Sequence, residues 1–143
     1  MEVDRQMPDV KDFNTAIIEE FRANGGVVGG PFADTPVLLL TTTGARSGLE
    51  RVNPMVYRTE GDELYVFASK AGAPTDPDWF HNLVAHPEVT VELGSDRFRA
   101  TAVVLEGEER DRVYAAHAET MPTFADYQAG TDRVIPVVHL VRS

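Results

Sequence analysis

Two strand-like runs that meet at Gly94-Ser95-Asp96 constrain this chain most. Before the turn, Val89, Val91 and Leu93 alternate with Thr90 and Glu92; after it, Phe98, Ala100, Ala102 and Val104 alternate in the same way. A period of two places each apolar set on one face of a sheet, so the pair reads as a hairpin with one buried side. Four more runs share the β character. Pro36–Thr43 is apolar and β-branched, and Arg51–Thr59 joins Leu64–Ser69 through Glu60-Gly61-Asp62. The tail, Arg133–Val141, is the last, and Pro136 predicts that it lies at an edge or on a bulge.

Helical spacing is confined to short stretches between these runs. Phe13, Ile17 and Phe21 predict a helix from about Val10 to Asn24, with Asp9 or Asp12 as its cap and Gly25-Gly26 as its end. Its acids disfavour a membrane-surface role. A second helix starts with Asp76 as N-cap and Pro77 at the first helical position, and Pro87 stops it. A third runs from Glu108 to about Thr120, acidic in its first turn, and a looser aromatic segment follows from Met121 to Gln128. Six strands with hairpin connections and three helices do not form repeated βαβ units. They predict a β-rich α+β fold, an antiparallel sheet closed into a small barrel with peripheral helices. Residues 1–30 read as a helical extension and 31–143 as the barrel domain.

A chain of 143 residues is the usual size for one core. It has no cysteine, which excludes disulfides and thiol chemistry and suits a reducing cytoplasm. No stretch approaches the roughly 20 apolar residues of a membrane span, and no signal peptide is legible. The formal net charge is −10, a field that repels nucleic acid and anionic lipid. The expected partners are therefore a small molecule and, at most, a peripheral membrane contact.

Against that acidic background one stretch is positive. Between Thr35 and Thr59 the charged residues are Arg46, Glu50, Arg51 and Arg58, and the turn reads Thr41-Thr42-Thr43-Gly44-Ala45-Arg46-Ser47-Gly48. Arginine forks suit phosphate and glycine lets backbone approach a ligand, although a plain hairpin turn with solvated arginines has the same sequence. Phe67-Ala68-Ser69-Lys70-Ala71-Gly72 leads from a strand to the helix at Asp76, a second place where an anion can bind. Against this, Asp76 can cap the helix itself and Lys70 can be a solvated lysine. Trp79 and Leu83 share a helix face that is either core or the wall of a flat ligand. Met121-Pro122-Thr123-Phe124-Ala125-Asp126-Tyr127 is either a pocket wall or packing. His81 and His86 miss the i, i+4 spacing of a metal pair, His117 and His139 are isolated, and no metal is expected. There is no nucleophile elbow, Walker loop or dinucleotide fingerprint.

These motifs in order resemble the deazaflavin-dependent nitroreductase family. Leu39-Leu40-Thr41-Thr42-Thr43-Gly44, Arg46-Ser47-Gly48 and Arg51-Val52-Asn53-Pro54 carry the likeness. So do Ala68-Ser69-Lys70, Trp79-Phe80 with Asn82-Leu83, Tyr127-Gln128, and Thr131-Asp132-Arg133 with Ile135-Pro136. The resemblance implies an FMN-binding-like split β-barrel, the coenzyme F420, and hydride transfer to a quinone, nitroaromatic or other activated acceptor. FMN, or a carrier that binds deazaflavin without turnover, are the alternatives. Carried over by position, Arg46, Arg51 and Lys70, with Thr43 and Ser47, hold the coenzyme's phosphate and acidic tail. Pro54, Ala68, Ser69, Asp78 and Trp79 lie along its ring. Met121, Phe124 and Tyr127 form the acceptor pocket, with Ser69 and Tyr127 as catalytic candidates. Ala45 stands where family members commonly carry a second basic residue, and Met121 and Phe124 stand where the known nitroreductase has tyrosines. Barrels of this kind also pair into homodimers.

Overall fold

A computed structural model describes residues 10–28 and 36–143. Asp9, the side chains of Asp12 and Phe13, and the boundary proposed at residue 30 lie outside the described residues. The elements are α1 (Val10–Ala23), β1 (Val37–Thr43), β2 (Glu50–Glu60), β3 (Glu63–Phe67), a 3-10 turn (Lys70–Gly72) and α2 (Asp78–Ala85). They continue with β4 (Glu88–Leu93), β5 (Asp96–Val104), α3 (Gly107–Thr120), α4 (Thr123–Ala129) and β6 (Val137–Arg142). The strands close into an antiparallel barrel in the order β1-β2-β3-β6-β5-β4.

The alternation read from the sequence becomes the barrel interior. Leu38 and Leu40 of β1, Val89 and Val91 of β4, Ala100 and Ala102 of β5, and Val138 and Leu140 of β6 fill it together. β1 is apolar at every position from Val37 to Leu40 because both its faces are covered. Leu38 and Leu40 point inward, while Val37 and Leu39 pack outward on Ile17 and Phe21 of α1. Arg22 of α1 donates from Nε and Nη2 to the two carboxylate oxygens of Glu92 on β4, at 3.0 and 2.7 Å. α3 covers the other side of the barrel, where Val113 and Tyr114 bury against Tyr65, Phe67, Ile135 and Val137.

Three expectations are corrected. Residues 121–128 are not loose: α4 spans Thr123–Ala129, because Tyr114 donates from its hydroxyl to the Phe124 carbonyl at 2.6 Å and Gln128 is held by Arg110. Among the described residues there are thus four α-helices where three were expected. Pro136 is on neither an edge nor a bulge, since β6 begins at Val137 and pairs on both sides, with β3 and β5. Asp76 does not cap α2. That position belongs to Pro77, and the Asp76 carboxylate instead accepts from Arg133 Nη1 at 2.7 Å. Among the described residues no helix is long and apolar enough to cross a membrane.

Candidate functional site

The barrel is split at β2. Its last residues, Tyr57–Glu60, pair with β3, but residues 50–56 pair only with β1 and leave one side free. Pro54 sits on this unpaired side, where a missing N–H leaves no ladder bond broken. A cleft of about 1120 Å³ opens along that edge, lined there by Arg51, Asn53, Pro54, Met55 and Val56. Across it stand the end of β3 and the turn after it (Phe67, Ser69, Lys70), the start of α2, and α4.

Arg46, Arg51 and Lys70 all line this one cleft. They approach from a hairpin loop, a strand and a 3-10 turn, and all three are exposed. Among the described residues neither arginine has an ion-pair partner, so both remain available to an anion. Arg58, the third arginine of the basic stretch, is occupied by Glu60 at 2.9 Å and does not reach the cleft. The loop carrying Arg46 is fixed at its ends. Gly44 N–H donates to the Leu49 carbonyl at 2.7 Å, and Ala45 N–H donates to Asn82 Oδ1 at 3.0 Å. Asn82 is buried and also donates to Thr42 Oγ1 at 3.3 Å, tying the hairpin to α2. Lys70 adopts φ of +47°, a left-handed backbone that costs a non-glycine residue roughly 1–2 kcal/mol. Its ammonium donates to Thr75 Oγ1 at 3.1 Å.

The wall that faces the β2 edge is aromatic and largely buried. Phe124 meets Phe67 edge-on at 5.6 Å between centroids and Tyr127 at 5.2 Å. Behind them His117 stacks on Phe67 at 4.2 Å and 14°. Both ring nitrogens of His117 are buried without a hydrogen-bond partner. Burial, and then the Arg58 charge, pull its pKa down to about 4, so the ring is neutral near pH 7. Burial pushes the Tyr114 phenol up to about 12, which keeps its proton on the bond to Phe124.

A polar chain ties this wall to the Lys70 turn. Arg110, buried on α3, donates twice to the Ile135 carbonyl and once, at 2.6 Å, to Gln128 Oε1. Gln128 donates to the Arg133 carbonyl at 2.7 Å and accepts from Ile135 N–H at 3.0 Å. Arg133 reaches back across the turn to Asp76 and to backbone carbonyls. With Asp76 drawn aside, the start of α2 presents Pro77, Asp78 and Trp79 to the cleft.

Of the residues singled out in the sequence, Arg46, Ser47, Arg51, Pro54, Ser69, Lys70, Asp78 and Trp79 line the cleft, as do Met121, Phe124 and Tyr127. Thr43 and Ala68 lie outside its lining, and Ala68 is fully buried with its carbonyl accepting from Arg133. The competing roles weighed for Trp79 and Phe124 coexist: each is buried in a core cluster and shows an edge to the cleft. Asn53, His81 and Asn82 also line it and were not among the expected site residues, although Asn53 and Asn82 lie in the motifs that carry the resemblance. Asn82 had a usable signal, a polar residue on the same helix face as Trp79 and Leu83. For His81 the sequence holds none.

The chain matches the F420H(2)-dependent quinone reductase family over residues 15–142. It is 36% identical over 126 residues to an F420H(2)-dependent quinone reductase of Mycobacterium tuberculosis, covering 85% of each chain. Among solved structures, an F420-H2 dependent reductase of the FDR-A type superposes with a TM-score of 0.68 at 42% identity, covering 73% of this chain and 93% of that one. A relative solved as a domain-swapped dimer gives 0.70 at 38% identity, covering 88% and 92%.

Proposed function

This chain belongs to the F420H(2)-dependent quinone reductase family, and from that premise we propose how its cleft binds reduced F420 and passes a hydride to a quinone-type acceptor. The observation that carries the reading is the meeting of Arg46, Arg51 and Lys70 in one cleft of a molecule with net charge −10. An anionic, phosphate-bearing coenzyme fits that set, because guanidinium and ammonium donors bind phosphate through charge-assisted hydrogen bonds. When bound, the reduced deazaflavin supplies the hydride.

The chain's own residues supply position and electrostatics. Arg46, Arg51 and Lys70 hold the phosphate and acidic tail, with Ser47 beside them. Trp79 and Pro54, from opposite sides of the cleft, orient the ring. Asp78 stands at the start of α2 beside Trp79, and its carboxylate would accept a hydrogen bond from a bound ring that offers an N–H there. Met121, Phe124 and Tyr127 offer the acceptor a largely apolar wall with a single phenol, which suits a flat quinone better than a small polar nitroimidazole. Ser69 makes no capping bond to the turn that follows it, so its hydroxyl, like that of Tyr127, is free to donate to the acceptor oxygen as negative charge develops there. Such donors contribute about 10²–10⁴-fold in related general-acid roles.

Titration of the protein with F420 and with FMN, then mixing of the reduced F420 complex with a soluble quinone, tests the reading. Saturable F420 binding, none for FMN, and quinone-dependent oxidation are expected; failure to bind F420 ends it. A homodimer belongs to the same reading, supported by the domain-swapped relative, and light scattering in solution tests it.

A further inference from the structure

We propose that Arg133 is a positioning residue for the coenzyme site: its guanidinium fork shapes the backbone of Ala68–Asp76 so that Ser69 and Lys70 face the cleft. Arg133 belongs to no wall of that cleft. Its Nε donates to the Ala73 carbonyl at 2.7 Å and its Nη2 to the Ser69 carbonyl at 2.7 Å. Nη1 donates to the Ala68 carbonyl at 3.2 Å and to the Asp76 carboxylate at 2.7 Å. Three carbonyl dipoles and one carboxylate converge on a single cation that is largely shielded from water. Without that cation, the Ala68 and Ala73 carbonyls and the Asp76 carboxylate would lose their donor and the Ser69 carbonyl one of its two, and the segment would open.

The residue held in the middle of this clamp is Lys70. Its φ of +47° is a conformation its own side chain does not favour, so something outside must impose it. The Ser69 and Lys70 carbonyls also accept from Gly72 and Ala73 N–H at 2.9 and 3.0 Å, closing the turn. Gly72, at φ of +80°, lies so close to α4 that a Cβ there would come within 2.9 Å of the Tyr127 carbonyl. The clamp itself is anchored, since the Arg133 carbonyl accepts from Gln128, one residue after Tyr127. One side chain thus fixes Lys70 and Ser69 relative to Tyr127, the spacing on which a transfer between coenzyme and acceptor depends. Lysine cannot replace it, because a point charge on a flexible stem does not reproduce a planar fork with three donor directions.

The inference rests on Lys70 as a coenzyme contact, and a double-mutant cycle separates the two claims. Dissociation constants for F420 are measured by equilibrium titration for the native protein, Arg133→Lys, Lys70→Ala and the double variant, with melting temperatures in parallel. Arg133→Lys is expected to weaken binding about tenfold in the native background. In the Lys70→Ala background it should change binding less than about twofold, because the contact it positions is gone. If each single substitution weakens binding and the losses simply multiply, Arg133 acts as a general staple and the inference is overturned. If Lys70→Ala alone leaves binding unchanged, the site reading falls and the inference with it. Should Arg133→Lys melt below the assay temperature, Asp76→Asn replaces it in the cycle, removing one charge from the clamp while keeping its shape. The same coupling with Lys70, at a smaller fold-change, is then expected, and its absence overturns the inference equally.

Discussion

At the solvent rim of the cleft stand Arg46, Arg51 and Lys70, the two arginines without an ion-pair partner among the described residues. In the wall that α4 builds, Phe124 is buried, Tyr127 is half-buried, and α4 is held by Tyr114 and by the chain from Arg110 through Gln128 to Arg133. On the rim the two arginines are unpaired among the described residues, and the Lys70 ammonium meets only a neutral hydroxyl, Thr75 Oγ1, so the charge of all three awaits an anion. The aromatic wall has its hydrogen bonds to α3 and to the Arg133 segment already made. Affinity and stability should therefore separate by side: changes on the cationic rim should alter binding and leave folding alone, and changes behind the aromatic wall should alter folding first.

The largest effect should come from Arg110→Ala. It strips the Ile135 carbonyl and Gln128 of their buried donor and removes a cation packed 4.5 Å above the Tyr114 ring. Each stranded buried acceptor costs about 1–3 kcal/mol, so a loss of about 3–4 kcal/mol is expected in urea unfolding. A loss as large from Arg51→Ala would break the comparison.

The next effect is acid sensitivity centred on His117. Its folded pKa of about 4 lies below the unfolded 6.5, so the unfolded chain binds the extra proton between those values. Stability from this group is complete above pH 6.5, falls as pH drops, and levels off below about 4. The full swing is roughly 3 kcal/mol. Unfolding measured at pH 7, 5.5 and 4.5 should show the decline. His117→Phe, which keeps the stack on Phe67 and removes the titrating nitrogens, should flatten that part of the curve and raise stability at pH 7. An unchanged pH slope in that variant would show that His117 is not the group responsible.

Smaller in energy and confined to the rim, Arg51→Ala and Lys70→Ala should each weaken F420 binding about tenfold to a hundredfold, the loss of one charge-assisted hydrogen bond of roughly 1.5–3 kcal/mol. Their unfolding free energies should stay within about 0.5 kcal/mol of the native value, since both side chains are exposed. Last, raising salt should lower coenzyme affinity several-fold because exposed charges are screened within about 10 Å at 0.1 M. The same salt should scarcely move the Arg110→Ala defect. Affinity indifferent to salt would mean that the rim cations do not meet the coenzyme's charge in solvent.

Much of this molecule was legible from local pattern. Period-two alternation at Val89–Leu93 and Phe98–Val104 identified a hairpin because burying one face of a sheet imposes that period, and the tight turn at Gly94 allows little else. The basic stretch around Arg46 and Arg51 stood out because its sign opposes that of the whole chain. Where local reading failed, a long-range polar contact had overridden it. Asp76 has the chemistry and position of a helix cap, yet Arg133, 57 residues later, offers a stronger partner. Residues 121–128 look like a loose aromatic loop until Tyr114 and Arg110 arrive from α3 to hold them as a helix. Pro136 signals an edge, but it falls just before its strand, where no ladder donor is needed.

By itself the sequence determined the strand set, the charge anomaly and the motif order that led to a deazaflavin-using barrel. All of these are carried by neighbours in the chain or by composition. Only the tertiary structure decided that Arg46, Arg51 and Lys70 share one cleft, that Arg58 does not, and that the Arg133 fork meets carbonyls on both sides of Lys70, whose φ is +47°. Those outcomes depend on which segments the closed barrel brings side by side, and barrel closure is a property of all six strands at once.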